Sequence, residues 1–172
     1  PGLTEDDLRA FLRKLAERAE EGDASGDAAT TASPPPAVPA ESVVVYSDGG
    51  SRGNPGPAGC GAVLTDAAGT VLAEDAAFLG RATNNQAEYH GLLLGLRLAH
   101  KAGASRVVVR SDSELLVRQL NGEYKVKSPG LRSLFAEARE LLGSLAGWRA
   151  EHVRRELNAR ADALANRAMD RA

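Results

Sequence analysis

Two short β-branched runs end in the same way: VVVYSDGG over residues 43–50 and RVVVRSDSE over residues 106–114 both pass directly into a Ser-Asp pair. Runs of this kind, without polar alternation, suit strands covered on both faces, so both belong inside a sheet flanked by helices. The ends of such strands are where open α/β sheets build their sites. If the two strands are parallel neighbours, Asp48 and Asp112 project from one edge. Either aspartate alone could equally be an ordinary turn or helix-cap residue.

The surrounding pattern fills in the fold. SRGNPGPAG supplies turn chemistry after the first run, an apolar stretch covers 60–64, a turn lies at 66–69, and a third strand is expected to about Leu79. That is an antiparallel meander. Leu92, Leu93, Leu96 and Ala99 make a helical stripe within 85–102, with Gly103 at the expected stop. Helices are expected over about 113–121, 130–143 and 159–171, and a strand over about 148–153. The order βββαβααβα predicts an α/β fold, a mixed sheet with helices on both faces.

Two more acids fall where they can reach the same edge. Glu88 lies in the first turn of its helix after TNNQA, and Asp162 lies early in the last helix within NARADALAN. Four converging acids without basic partners repel and raise one another's pKa unless cations hold them ionised. Mg²⁺ suits them, since it takes hard oxygen ligands and keeps several waters. Cys60 is the single cysteine, which excludes an internal disulfide framework and a thiolate cluster, so oxygen must hold any metal.

The 172 residues suit one domain with an appendage. Residues 1–21 hold a short amphipathic pattern over 3–21, with Thr4 and Asp7 as a start signal and Leu8, Phe11, Leu12 and Leu15 at helical spacing. It is either a frayed extension or a contact element for a partner or fused protein. Residues 22–42 are small, polar and proline-rich, a linker composition, and the domain is expected over 43–172. Residues 1–42 carry four basic and nine acidic side chains, and the remainder 17 and 14, so the body is mildly basic and compatible with a polyanion. The sequence contains no long apolar run and no signal-like start, so a soluble cytoplasmic protein without membrane contact is the expectation.

The strings SDGGSRGNPGPAGCGAVL, ATNNQAEYHGL, SDSELLVRQLNGEYKVK and HVRRELNARADALANRA closely resemble type I ribonucleases H, in particular the compact bacterial and archaeal branch. The resemblance covers about residues 43–170. It implies a five-stranded mixed sheet flanked by helices, and an endonuclease that hydrolyses the RNA strand of RNA/DNA hybrids; two Mg²⁺ ions are the expected cofactors, and whether Mn²⁺ replaces them is left open by the sequence. The implied products end in 5′-phosphate and 3′-hydroxyl groups. Matched position by position, Asp48, Glu88, Asp112 and Asp162 correspond to the family's catalytic metal ligands. Asn54, Thr83, Asn84 and Asn85 match positions that contact the nucleic-acid backbones, and Asn158 matches a site-adjacent position. The glycine-rich loop over 49–56, with Gly49, Gly50, Ser51 and Arg52, can bring backbone amides to a wide, shallow minor groove; its simpler reading is a hairpin turn. Lys125, Lys127, Arg132 and Arg52 are candidate phosphate contacts. A monomer is expected.

One departure from the family concerns a mobile loop histidine before the last carboxylate. Here that loop is compressed to Arg154-Arg155-Glu156-Leu157, and Arg155 is the candidate for the role. His152 is expected in the last strand as a structural residue, and His90 and His100 as packing or surface residues of the first helix. Two other functions share the fold: an integrase- or resolvase-like nuclease, which lacks the combination of TNNQAE with SDSELLVRQL, and a non-catalytic nucleic-acid-binding module, which would be expected to lose an acid.

Overall fold

The computed structural model describes residues 42–171. The helix expected over 3–21 and, Ser42 apart, the linker expected over 22–42 lie outside the described residues. The elements are β1 (Val43–Ser51), β2 (Gly56–Thr65), β3 (Val71–Ala82), α1 (Asn84–Lys101), β4 (Arg106–Ser111), α2 (Glu114–Leu120), α3 (Pro129–Gly143) and β5 (Gly147–His152). A 3₁₀ turn over Arg155–Asn158 then leads into α4 (Ala159–Asp170). One five-stranded sheet results, in the order β3-β2-β1-β4-β5.

β1 is central: it pairs antiparallel with β2 and parallel with β4. That position explains its unbroken valines, because Val43 and Val45 enter the core under α1 while Val44 faces the other side, all nearly inaccessible. The core joins α1 residues Tyr89, Leu92, Leu93 and Leu96 to Leu116, Leu120 and Leu142 from α2 and α3. α4 packs on the opposite face, where Ala161 and Leu164 meet Val63. Among the described residues no helix is long and apolar enough to cross a membrane.

α1 is held against β1 by glycine. A Cβ on Gly91 would lie 2.4 Å from the Asp48 carbonyl oxygen, and one on Gly49 would lie 2.1 Å from the Ala87 carbonyl oxygen. Only bare backbone permits that approach, and it brings Glu88 beside Asp48. The start of α1 is specified by Thr83, whose hydroxyl accepts from the Gln86 N–H while Gln86 Oε1 accepts from the Thr83 N–H, a reciprocal cap.

β3 runs past the expected stop near Leu79 to Ala82. Gly80 has a positive φ of 71°, which in a linear pattern marks an end; here a register shift opposite Ala58 and Gly59 absorbs it as a bulge and pairing resumes.

Candidate active site

The register of β1 and β4 decides the site. Tyr46 pairs with Arg110, so Asp48 and Asp112 each stand two residues beyond the same rung and leave one edge of the sheet. α1 lays Glu88 over that edge from one face and α4 lays Asp162 over it from the other. Asp48, Glu88, Asp112 and Asp162 line one open cavity of about 230 Å³, together with Gly49, Gly50, Ser51, Arg52, Asn84 and Arg155.

The electrostatics are strained. Burial pushes the Asp48 carboxyl up to about 7, and the charges of Asp112 and Asp162 add to the shift while Arg155 opposes it. Burial likewise raises Glu88 to about 9, with Asp48 and Asp112 contributing. Glu88 Oε2 is buried with no hydrogen-bond partner among the described residues. An anionic oxygen in that state needs a cation, and the donors present, all carboxylate oxygens, suit a hard divalent ion.

Among the described residues no three acidic, imidazole or thiol side chains already form a closed metal cage. Two of the acids are engaged by neighbouring side chains: the Arg155 Nη2 donates to Asp162 Oδ1 at 2.6 Å, and the Asn158 Nδ2 donates to Asp112 Oδ1 at 2.6 Å. An open site of this kind suits Mg²⁺, which keeps waters and shares its coordination with substrate phosphate rather than requiring an all-protein cage.

The remaining expected residues divide. Asn158 is 1% exposed and sits behind the carboxylates, donating to the Ser47 carbonyl as well as to Asp112. Asn54 accepts from the Asn84 N–H at 3.1 Å, tying the β1–β2 turn to the start of α1. The Thr83 hydroxyl is engaged in its cap, and Asn85 is exposed on the first turn of α1 outside the cavity lining. Gly49 does line the cavity, yet its lack of a side chain is required by α1 packing. Arg52 is paired with Asp170 of α4. Lys125, Lys127 and Arg132 are exposed along and just after the segment that follows α2, away from the carboxylates' cavity.

His152 ends β5 as expected, but it is exposed and its Nε2 lies 3.3 Å from the Asp112 carbonyl oxygen. It stands at the rim of the site rather than in packing, because the strand stops there. His90 is half-buried on α1, where burial, aided by Arg97, lowers its pKa. His100 makes a 3.0 Å contact with the Leu141 carbonyl oxygen of α3. Sequence reasoning missed Asn166, which lines the cavity and donates to Asp162 Oδ2 at 3.0 Å. Its position four residues after Asp162, one helical turn on, was the available signal.

A mixed sheet of this order, with acids gathered where the pairing of β1 with β4 ends, defines the ribonuclease H-like class. A family model described as reverse transcriptase-like matches residues 46–168. The chain is similar to ribonuclease HI of Halobacterium salinarum, 48% identical over 128 residues, covering 74% of this chain and 64% of that protein. It is also similar to the bifunctional protein Rv2228c of Mycobacterium tuberculosis, 52% identical over 131 residues. That match covers 76% of this chain but only 36% of the longer protein. Among solved structures, LC11-RNase H1 in complex with an RNA/DNA hybrid superposes with a TM-score of 0.72 at 45% identity, covering 75% of this chain and 97% of that one. The chain belongs to the type I ribonuclease H family.

Proposed function

We propose that this protein is an endonuclease that hydrolyses the RNA strand of RNA/DNA hybrids with two divalent cations, Mg²⁺ in the first instance and Mn²⁺ as a substitute. The observation that carries the reading is the cavity shared by Asp48, Glu88, Asp112 and Asp162, two of whose carboxyls are held far above their ordinary range. Kinship with proteins named ribonuclease HI, and with one solved on a hybrid, supports the same activity.

Asp48, Glu88, Asp112 and Asp162 would hold the ions between them: the charge of Asp48 is felt by Glu88, and that of Asp112 by both Asp48 and Glu88, while Asp162 also acts on Asp48. When bound, such a pair activates a water and stabilises the departing oxygen of an in-line displacement at phosphorus. The chain's own residues then orient the strand. Asn158 fixes the Asp112 rotamer, and Arg155 sits where it can take charge from Asp162 or from phosphate. The Gly50–Ser51 backbone and Asn84 border the same cavity, where they can meet the 2′-hydroxyls and phosphates of a hybrid's minor groove. Cleavage of the P–O3′ bond leaves 5′-phosphate and 3′-hydroxyl ends.

Labelled RNA/DNA, RNA/RNA and DNA/DNA duplexes incubated with Mg²⁺, Mn²⁺ or chelator provide the test. Cutting is expected only of the hybrid's RNA strand and only with metal. Asp48→Asn should fold and lose nearly all cleavage; a folded Asp48→Asn protein cutting at the wild-type rate would sink the four-carboxylate assignment.

A further inference from the structure

The four carboxylates are not equally available to a cation. Glu88 Oε2 has no hydrogen-bond partner among the described residues. Asp48 is engaged by the Gly49 backbone, and Asn158 takes a single oxygen of Asp112, Oδ1. Asp162 is different, because both of its oxygens are occupied: Arg155 Nη2 donates to Oδ1 at 2.6 Å and Asn166 Nδ2 donates to Oδ2 at 3.0 Å.

The two holds on Asp162 differ in kind. Asn166 lies one turn further along α4 and also donates to the Asp162 carbonyl at 3.0 Å, so it fixes the carboxylate in the cavity without cancelling its charge. Arg155 instead brings a full positive charge to the oxygen that a metal ion would need. Its side chain is 72% exposed, against 26% for Asp162, and it begins the 3₁₀ turn whose other end, Asn158, is buried. An exposed side chain on an anchored turn can change rotamer while the turn stays in place.

An exposed arginine–carboxylate pair is by itself a weak tie. This one is reinforced, because the charges of Asp48 and Asp112 act on Arg155 as well, and Arg155 in turn opposes the upward shifts of Asp48 and Glu88. Arg52 also lines the cavity but is paired with Asp170 of α4. Arg155 is thus the protein's own cation within the cluster.

We propose that Arg155 is a latch on Asp162. Asp48, Glu88 and Asp112 take a first divalent cation, and Asp162 accepts a second only after the guanidinium has swung away, with Asn166 keeping the carboxylate in place. The inference rests on the two-cation reading above and adds to it an order of filling, set by a positioning residue that is not itself a ligand.

Titration of the full chain, stripped with chelator, with Mn²⁺ and without nucleic acid tests the latch by calorimetry. The wild type should bind one ion well before a second. Arg155→Ala should bind the second at least about fivefold more tightly, with the first within about twofold of the wild type. The Arg155→Ala/Asp162→Asn double variant should show no such gain, because the oxygen that Arg155 uncovers is gone. In NMR spectra of the wild type with Mg²⁺, the Arg155 Nε–H signal, assigned by its loss in Arg155→Ala, should hold its position through the first ion and move with the second. Circular dichroism checks that each variant is folded. A wild type that takes both ions with equal affinity would overturn the proposal, as would an Arg155→Ala protein with no gain in the second. A double variant that gains as much as Arg155→Ala would also overturn it, by reducing Arg155 to a general repulsive charge. A protein that fills in this order yet cuts no hybrid would refute the proposed activity and leave the latch standing.

Discussion

At the scale of single residues, Asn158 shows how much of the site lies behind its carboxylates. Its one amide group joins the end of β1 to Asp112, through bonds to the Ser47 carbonyl and to the Asp112 carboxylate. Supports of this kind typically change metal affinity 10–100-fold when removed, an order-of-magnitude range. Asn158→Ala should therefore raise the Mg²⁺ concentration needed for half-maximal cleavage by about tenfold or more, and cost about 1–3 kcal/mol of stability by stranding buried partners. Metal titration of cleavage and urea unfolding read the two effects separately; an unchanged Mg²⁺ requirement would reduce Asn158 to a packing residue. Arg155 differs, being exposed and bonded directly to Asp162. If it draws the new 5′-phosphate away, Arg155→Ala lowers steady-state turnover while the single-turnover rate holds. His152→Ala is the control: its exposed rim position predicts little stability loss, and a defect in the single-turnover rate would transfer the role to the imidazole.

At the scale of elements, the seam between α1 and β1 is what sets Glu88 beside Asp48. Gly91→Ala drives a Cβ to within 2.4 Å of the Asp48 carbonyl oxygen, and backbone cannot step aside as a side chain tip can. The helix must lift, so we expect a loss of about 1–3 kcal/mol or more together with reduced cleavage. Gly143→Ala, at the end of α3 with open space around it, should leave stability unchanged or slightly raised. Urea midpoints for the two variants give the comparison, and equal midpoints would mean that α1 tolerates displacement.

At the scale of the whole molecule, the site is a source of instability that a bound cation would relieve. Asp48 and Glu88 bind protons more tightly folded than unfolded, so their contribution is complete below the ordinary values of 3.8 and 4.5 and is lost as pH rises through about 7 and about 9. Metal-free protein should therefore lose Tm from pH 5 to pH 9 on account of these groups, and Mg²⁺ should restore more at pH 9 than at pH 5, where it competes with protons. Calorimetry with chelator or Mg²⁺ measures this, and the Asp48→Asn/Glu88→Gln double variant should lack most of the slope. A metal-free Tm that rises with pH through that window, with the double variant behaving alike, would contradict the buried-carboxylate account.

Local pattern along the chain was enough to determine the elements and their order. The helix expected over 85–102 forms as Asn84–Lys101 and the strand at 106–111 forms as expected, because period, caps and β-branching act over a few residues. The motifs around Asp48, Glu88, Asp112 and Asp162 were legible for the same reason, as each is a short string at an element's end. Only the tertiary structure decided that β1 and β4 are parallel neighbours, that the Gly80 kink is a bulge within β3 rather than its end, and that His152 meets the rim of the site. It also decided that Asn158 touches Asp112, 46 residues away, and that Asn166 joins the cavity. Those outcomes depend on strand register and on how closely helices approach the sheet, and both are settled by the collective packing of residues distant in the chain, which no local pattern encodes.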